Sequence, residues 1–238
     1  MRLDLPLTAV HRRRLRLMWR SAGWPFLDAI EIDLLAAGLL ERLRDEAGRE
    51  LLRVTDAGIQ VLAATTLKNR QARNAHEELV ARVALEMHRA GRIVWRGLSL
   101  RAPPLGDSKV WPVAMPDVYS IRHTTVEDYV EPIAHEIKVS RADLLSDLRN
   151  EAKRESYRAV SSQCWYVIRA GIAEPDDIPP AYGVMIATEK TLEVARPAVR
   201  QAMRLPLHVW VALARANAEQ PDDTGGQREL AGHPDTPL

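Results

Sequence analysis

Residues 132–148 read PIAHEIKVSRADLLSDL, and the first eight of them decide the fold. PIAHEIKV is strand-length, has no glycine, and is apolar at 133, 134, 137 and 139. A strand repeats every two residues, so Glu136 and Lys138 project side by side while His135 and Ile137 face the other way. Two charges in so apolar a stretch are costly unless each finds a partner. From Ser140 the pattern changes to leucines at 144, 145 and 148, which predicts one long amphipathic helix over 140–161.

Upstream, Leu79, Val80, Val83, Leu85 and Met87 mark a helix over 77–90 that ends at Gly91. Strands follow at 92–100 (RIVWRGLSL) and 110–121 (VWPVAMPDVYSI), separated by a loop at 103–109. The second strand is broken at Pro116-Asp117. Downstream come strands at 164–169 (CWYVIR) and 182–188 (YGVMIAT). Helices alternating with strands predict an α/β domain over 76–196, a mixed sheet flanked by helices. Beyond it, 199–216 has helical character, giving a C-terminal helix assigned to 197–216. Residues 217–238 are rich in Pro, Gly and Asp and are expected to be a disordered tail.

Residues 1–66 read differently. A helix is expected over 7–21 with Thr8 as N-cap and arginines at 12, 13, 14, 16 and 20. Residues 22–25 break it, and 26–37 approximate a second helical face. Strands at 39–43 and 50–54 flank a turn at 44–49, and a further helix starts at Thr55. Two helices, a hairpin and a helix beginning LLRVTDAG resemble a small winged helix-turn-helix domain. Arg12, Arg13, Arg14 and Arg16 suit phosphate contacts that position without reading sequence, although a solvated face also accounts for them. The second helix carries Asp28, Glu31 and Asp33, which argues against sequence-specific reading of a major groove. Residues 67–75 (LKNRQARNA by sequence) are a linker or a helix extension.

The balance of 33 basic and 32 acidic residues neither demands nor excludes nucleic acid. One cysteine, Cys164, excludes an intrachain disulfide and a cysteine-based zinc site, and its strand setting reads as a core thiol. No signal peptide and no membrane-spanning run is evident, so a soluble cytoplasmic protein without membrane partners is expected. No Walker, G-x-S-x-G or G-x-G-x-x-G pattern supports nucleotide or elbow-serine chemistry.

The chemistry concentrates on Asp117, Glu136 and Lys138. With the two strands adjacent, Asp117 can meet Glu136. Two carboxylates offer hard oxygen ligands to Mg²⁺ or Mn²⁺, and a neighbouring lysine can orient or help deprotonate a water and stabilise charge building on a phosphate. The order helix-Glu, Pro-Asp, Glu-x-Lys, long helix resembles the PD-(D/E)xK nuclease superfamily, with its restriction-endonuclease-like fold. More narrowly, HEIKVSRADLLSDL is similar to the E-x-K-x-S-x-x-D-x-x-x-D signature of the MmcB-like DNA-repair proteins, here Glu136, Lys138, Ser140, Asp143 and Asp147.

That resemblance covers roughly 76–195 and implies metal ligation by Asp117 and Glu136, with Glu77, or Glu78, as a helix carboxylate. It places Ser140, Asp143, Asp147 and Gln163 near the site, though Ser140 also reads as an N-cap and the aspartates as first-turn charges. Arg149, Lys153 and Arg154 on the long helix would hold a DNA backbone, or pair with Asp147, Glu151 and Glu155 on a solvent face. The implied function is metal-dependent hydrolysis of DNA phosphodiesters in repair or related processing; the residues leave endonuclease and exonuclease cutting both open, and many nucleases of this type pair into a homodimer to cut two strands. The alternative is a DNA-binding protein, a repair accessory or a regulator, that uses the fold as a platform.

Overall fold

Thr8 accepts a hydrogen bond from the His11 amide and starts helix α1 (Ala9–Arg20); Asp28 does the same for Glu31 and starts α2 (Ala29–Ala36). Strands β1 (Leu40–Arg44) and β2 (Glu50–Val54) pair antiparallel from Leu40 opposite Val54 to Arg44 opposite Glu50. The turn between them is built on Asp45, whose side chain accepts from the amides of Ala47 and Arg49. Leu15, Met18, Leu34, Leu39, Leu40, Leu52 and Val54 form the core here, closed by the first turns of helix α3 (Asp56–Arg89). Gly58 is required there: a Cβ would lie 2.4 Å from the Leu39 carbonyl oxygen. The computed structural model describes residues 6–21, 23–104 and 109–219. The chain divides into two compact units, Met1–Arg73 and Asn74–Leu238.

Residues 67–75, the linker or extension of the sequence reading, are helical, so what reads as two helices is one of 34 residues. The polar run LKNRQARN lacks an apolar face but contains no glycine or proline to stop helix propagation.

In the second unit, β3 (Arg92–Arg96), β6 (Val118–Arg122), β7 (Ile133–Lys138), β8 (Gln163–Arg169), β9 (Gly183–Ala187) and β10 (Leu192–Arg196) form one sheet in the order β10-β9-β8-β7-β6-β3. Pairings of β7 with β8 and β8 with β9 are parallel and the rest antiparallel, so the sheet is mixed. A separate two-stranded ribbon joins β4 (Leu100–Arg101) to β5 (Val113–Ala114). The expected strand over 92–100 therefore stops at Gly97, which has φ 61°, and that over 110–121 splits at Pro116. One face of the sheet packs on Leu79, Val80, Val83 and Ala84 of α3. The other packs on Leu144 of α4 (Arg141–Leu148), Tyr157 of α5 (Glu151–Arg158) and Val209 and Leu213 of α6 (Leu207–Arg215). The fold is a mixed α/β arrangement, a six-stranded sheet flanked by helices.

The single helix expected over 140–161 is two. Asn150 interrupts it because its side chain accepts from the Lys153 amide and caps a new helix. The helix expected over 199–216 shrinks to α6, since Pro206 sets its start. Strand β10 had no counterpart in the sequence reading. Residues 105–108 of the expected loop and 220–238 of the expected tail lie outside the described residues. Among the described residues, no helix is long and apolar enough to cross a membrane.

Candidate functional site

Strand β7 carries the site by simple alternation. Ala134 joins the core under α4 and α5, and Ile137 the core under α3, so Glu136 and Lys138 share the α4/α5 side. Both are buried, Glu136 at 6% exposure. Lys138 Nζ lies 2.7 Å from Glu136 Oε1, 3.4 Å from Asp143 Oδ2 and 3.6 Å from Asp147 Oδ1. Burial alone would lower the Lys138 ammonium; the charge of Glu136, with Asp147 and Asp143, outweighs it and holds the pKa well above the usual lysine value. An ammonium so held supplies hydrogen bonds and positive charge.

Asp117 arrives from the neighbouring strand. Val118 pairs with His135, which puts Asp117 level with Glu136, just where Pro116 ends the pairing. The ladder continues through a side chain: Asp117 Oδ2 accepts from the Ile137 amide at 2.7 Å. Burial, and then the Glu136 charge, push the Asp117 carboxyl above its ordinary value, against the pull of that amide, His76 and Lys138.

Helix α4 adds two carboxylates one turn apart. Ser140 caps it, accepting from the Asp143 amide at 3.3 Å. Asp143 stays exposed, whereas Asp147 is buried and accepts from the Tyr166 hydroxyl at 2.6 Å. Burial raises the Asp147 carboxyl, but the hydrogen bonds from Lys153 and Tyr166 and the charge of Lys138 leave it net below the usual range. Tyr166 stands directly opposite Glu136 in the β7–β8 register. Gln163, the polar β8 residue expected at the site, is three positions earlier and so belongs to the other face; its Oε1 accepts from Trp165 Nε1 at 3.1 Å.

Lys153 departs furthest from expectation. Instead of projecting outward to DNA, its Nζ lies 2.6 Å from Glu136 Oε1 and 2.5 Å from Asp147 Oδ1. The break at Asn150 re-aims α5 and makes this possible. Arg154 is also committed internally, donating to the carbonyls of Leu148 and Asp147 at the end of α4, while Arg149 is exposed. The Tyr157 hydroxyl, whose pKa is raised by burial and by Glu136, donates its one proton to the Met115 carbonyl at 2.6 Å. Glu136 Oε2 is thus buried without a hydrogen-bond partner.

The helix carboxylates are less central than expected. Glu77 is 66% exposed at its side chain and lies 3.5 Å from His76 Nδ1. His76 is the α3 residue that reaches the site, with Nε2 3.4 Å from Asp117 Oδ2. Glu78 is exposed, beside an open hollow with Arg82, Val139 and Arg169. Helix phase decides this, and sequence does not reveal it.

In the first unit, Arg14 is spoken for: it clamps Asp28 through two hydrogen bonds, 3.0 and 2.7 Å, and stacks on Phe26. Arg12 is half-buried, while Arg13, Arg16 and Arg20 are exposed on α1.

Mg²⁺ is commonly held by one or two carboxylates, with waters and a substrate phosphate completing the shell. Asp117 and the partnerless Glu136 Oε2 fit that pattern. Among the described residues, no group of three or more His, Cys, Asp or Glu side chains is gathered to hold an ion alone.

No protein-family model matches the chain, and no curated protein is similar to it. Among solved structures, it is similar to a protein of unknown function from Silicibacter pomeroyi, with 20% identity and a TM-score of 0.39, over 56% of this chain and 76% of that one.

Proposed function

We propose that this protein hydrolyses DNA phosphodiester bonds with a divalent cation held by Asp117 and Glu136, in repair or related DNA processing. The observation that carries the reading is the deficit at those carboxylates: a buried oxygen with no donor next to an acid whose pKa is pushed up. Such a deficit is what a bound cation relieves. When bound, the ion would polarise a phosphate oxygen and make a water more acidic. The chain's own residues do the rest. Lys138, fixed by Glu136 and Asp143, offers positive charge to the phosphate as charge builds on it. His76 steadies Asp117, and Tyr166 steadies Asp147. On this reading the second unit has the PD-(D/E)xK architecture and the first is a winged helix-turn-helix. The exposed Arg13, Arg16 and Arg20 of the first unit, and Arg149 of the second, would contact phosphates without reading bases.

The test is to incubate purified protein with nicked, branched and single-stranded DNA, with Mg²⁺, with Mn²⁺ and with chelator, beside Glu136→Ala and Lys138→Ala. Metal-dependent cleavage is expected, reduced on the order of 10³-fold in each variant. Binding without cleavage in any metal, unchanged in both variants, would overturn it. That outcome would favour the second reading, a DNA-binding platform, for which the lysine already seated on Glu136 Oε1 speaks.

A further inference from the structure

Lys153 is one lysine more than the proposed chemistry needs. Glu136 Oε1 is met by both Lys138 and Lys153, at 2.7 and 2.6 Å, while Oε2 of the same carboxylate meets no donor. The two lysines differ in how they are held. Lys138 stands on the central strand at 6% side-chain exposure, whereas Lys153 reaches in from the first turn of α5 and its side chain keeps 31%. Lys138 is the more enclosed of the two; Lys153 has solvent beside it.

The cavity bounded by Glu136, Asp147, Lys153, Tyr157 and Tyr166 has about 10 Å³, at most a single water, so Lys153 packs closely against the two carboxylates.

We propose that Lys153 is a displaceable internal counter-ion, which holds Glu136 and Asp147 together in the metal-free protein and competes with a divalent cation for Glu136. The idea rests on the cation site proposed above. Lys153 is a positioning residue: it acts through the two carboxylates and gives up its place when the ion arrives. Lys153 stands in the first turn of α5, an element separate from β7, so its side chain can swing outward without moving that strand.

The experiment is calorimetric titration of Mn²⁺ into the full chain and its Lys153→Met, Lys153→Gln, Lys153→Arg and Glu136→Gln forms, with circular dichroism to verify folding. Removing the competitor should tighten Mn²⁺ binding about tenfold or more in Lys153→Met and Lys153→Gln. Lys153→Arg should stay near wild type and Glu136→Gln should lose binding. Metal-free Lys153→Met should melt lower than wild type, and Mn²⁺ should restore it. Equal or weaker binding in both neutral variants, with cleavage still metal-dependent, would overturn the counter-ion role and leave the nuclease reading standing. Absence of Mn²⁺ binding in every form, neutral variants included, would overturn both.

Discussion

Each unit buries a glutamate, and the two are handled in opposite ways. Glu31 in the first unit is 1% exposed, and its Oε2 accepts from the amides of Phe26 at 2.6 Å and Leu27 at 3.2 Å. Those amides are free to turn toward it because Leu27 takes a left-handed conformation, φ 55°, which a leucine adopts only when surroundings enforce it. Glu136 in the second unit crowds one oxygen with two ammonium groups and leaves the other without a donor. The first carboxylate closes a turn, with its Oε2 matched to two backbone donors. The second has unused capacity to accept positive charge. Burial alone separates neither; how completely the oxygens are used does.

The largest effect expected from this contrast is in the first unit. Glu31→Ala takes the acceptor away from the Phe26 and Leu27 amides beside the strained Leu27 backbone. A loss of about 3 kcal/mol is expected, in the range for losing two hydrogen bonds to a charged group. Chemical denaturation with hydrogen exchange read at Phe26 and Leu27 checks it. A loss under about 0.5 kcal/mol, the level of ordinary surface changes, would mean the amides find other partners and the contrast with Glu136 is false.

Next in size is a proton effect on the strand that carries the site. His135 is the neighbour of Glu136 on the opposite face, fully buried, and burial together with Arg92 presses its pKa down to about 3. An unfolded histidine titrates at about 6.5, so the unfolded chain gains a proton first as pH falls. Stability from keeping this ring neutral is present above about 6.5 and is lost as pH drops toward 3. At pH 5 the loss relative to pH 7 should be about 2 kcal/mol. His135→Leu should flatten that part of the pH profile, measured as the difference in unfolding free energy between variant and wild type. A profile identical in both would show that the ring is not held neutral. The strand would then tolerate charge on both faces, and the singling out of Glu136 would weaken.

Much of this was legible in the residues. PIAHEIKV gave the alternation that seats Glu136 beside Lys138, Pro116 marked where Asp117 leaves the ladder, and Thr8 and Ser140 were readable as caps. What stayed hidden depends on relations between elements. Tyr166 rather than Gln163 faces Glu136 because of the parallel register of β8, and His76 rather than Glu77 meets Asp117 because of the phase of α3. Lys153 turned inward because one asparagine ended a helix whose leucine pattern suggested continuity. A hydrogen-bonding side chain after Leu148 was the available signal, and it was outweighed by periodicity.

The smallest effect tests the cost of the site itself. Asp117 is half of the proposed ligand pair, and its raised pKa means that at neutral pH the folded protein holds a carboxylate it would sooner protonate. A folded pKa above the unfolded value contributes stability that is fully present below the unfolded value and is lost as pH rises through the folded one. At pH 7 the group therefore opposes folding. Asp117→Asn keeps an oxygen to accept from the Ile137 amide and removes the charge that repels Glu136. It should raise the stability of the metal-free protein by about 1 kcal/mol, roughly 2–4 °C in melting temperature for a chain of this size. The gain should shrink as pH falls, because wild-type Asp117 takes up its proton above the ordinary carboxylate range, and should vanish or reverse in saturating Mn²⁺, which only wild type can use. A melting temperature lowered by the substitution at pH 7 without metal would mean that Asp117, like Glu31, is there to hold the fold.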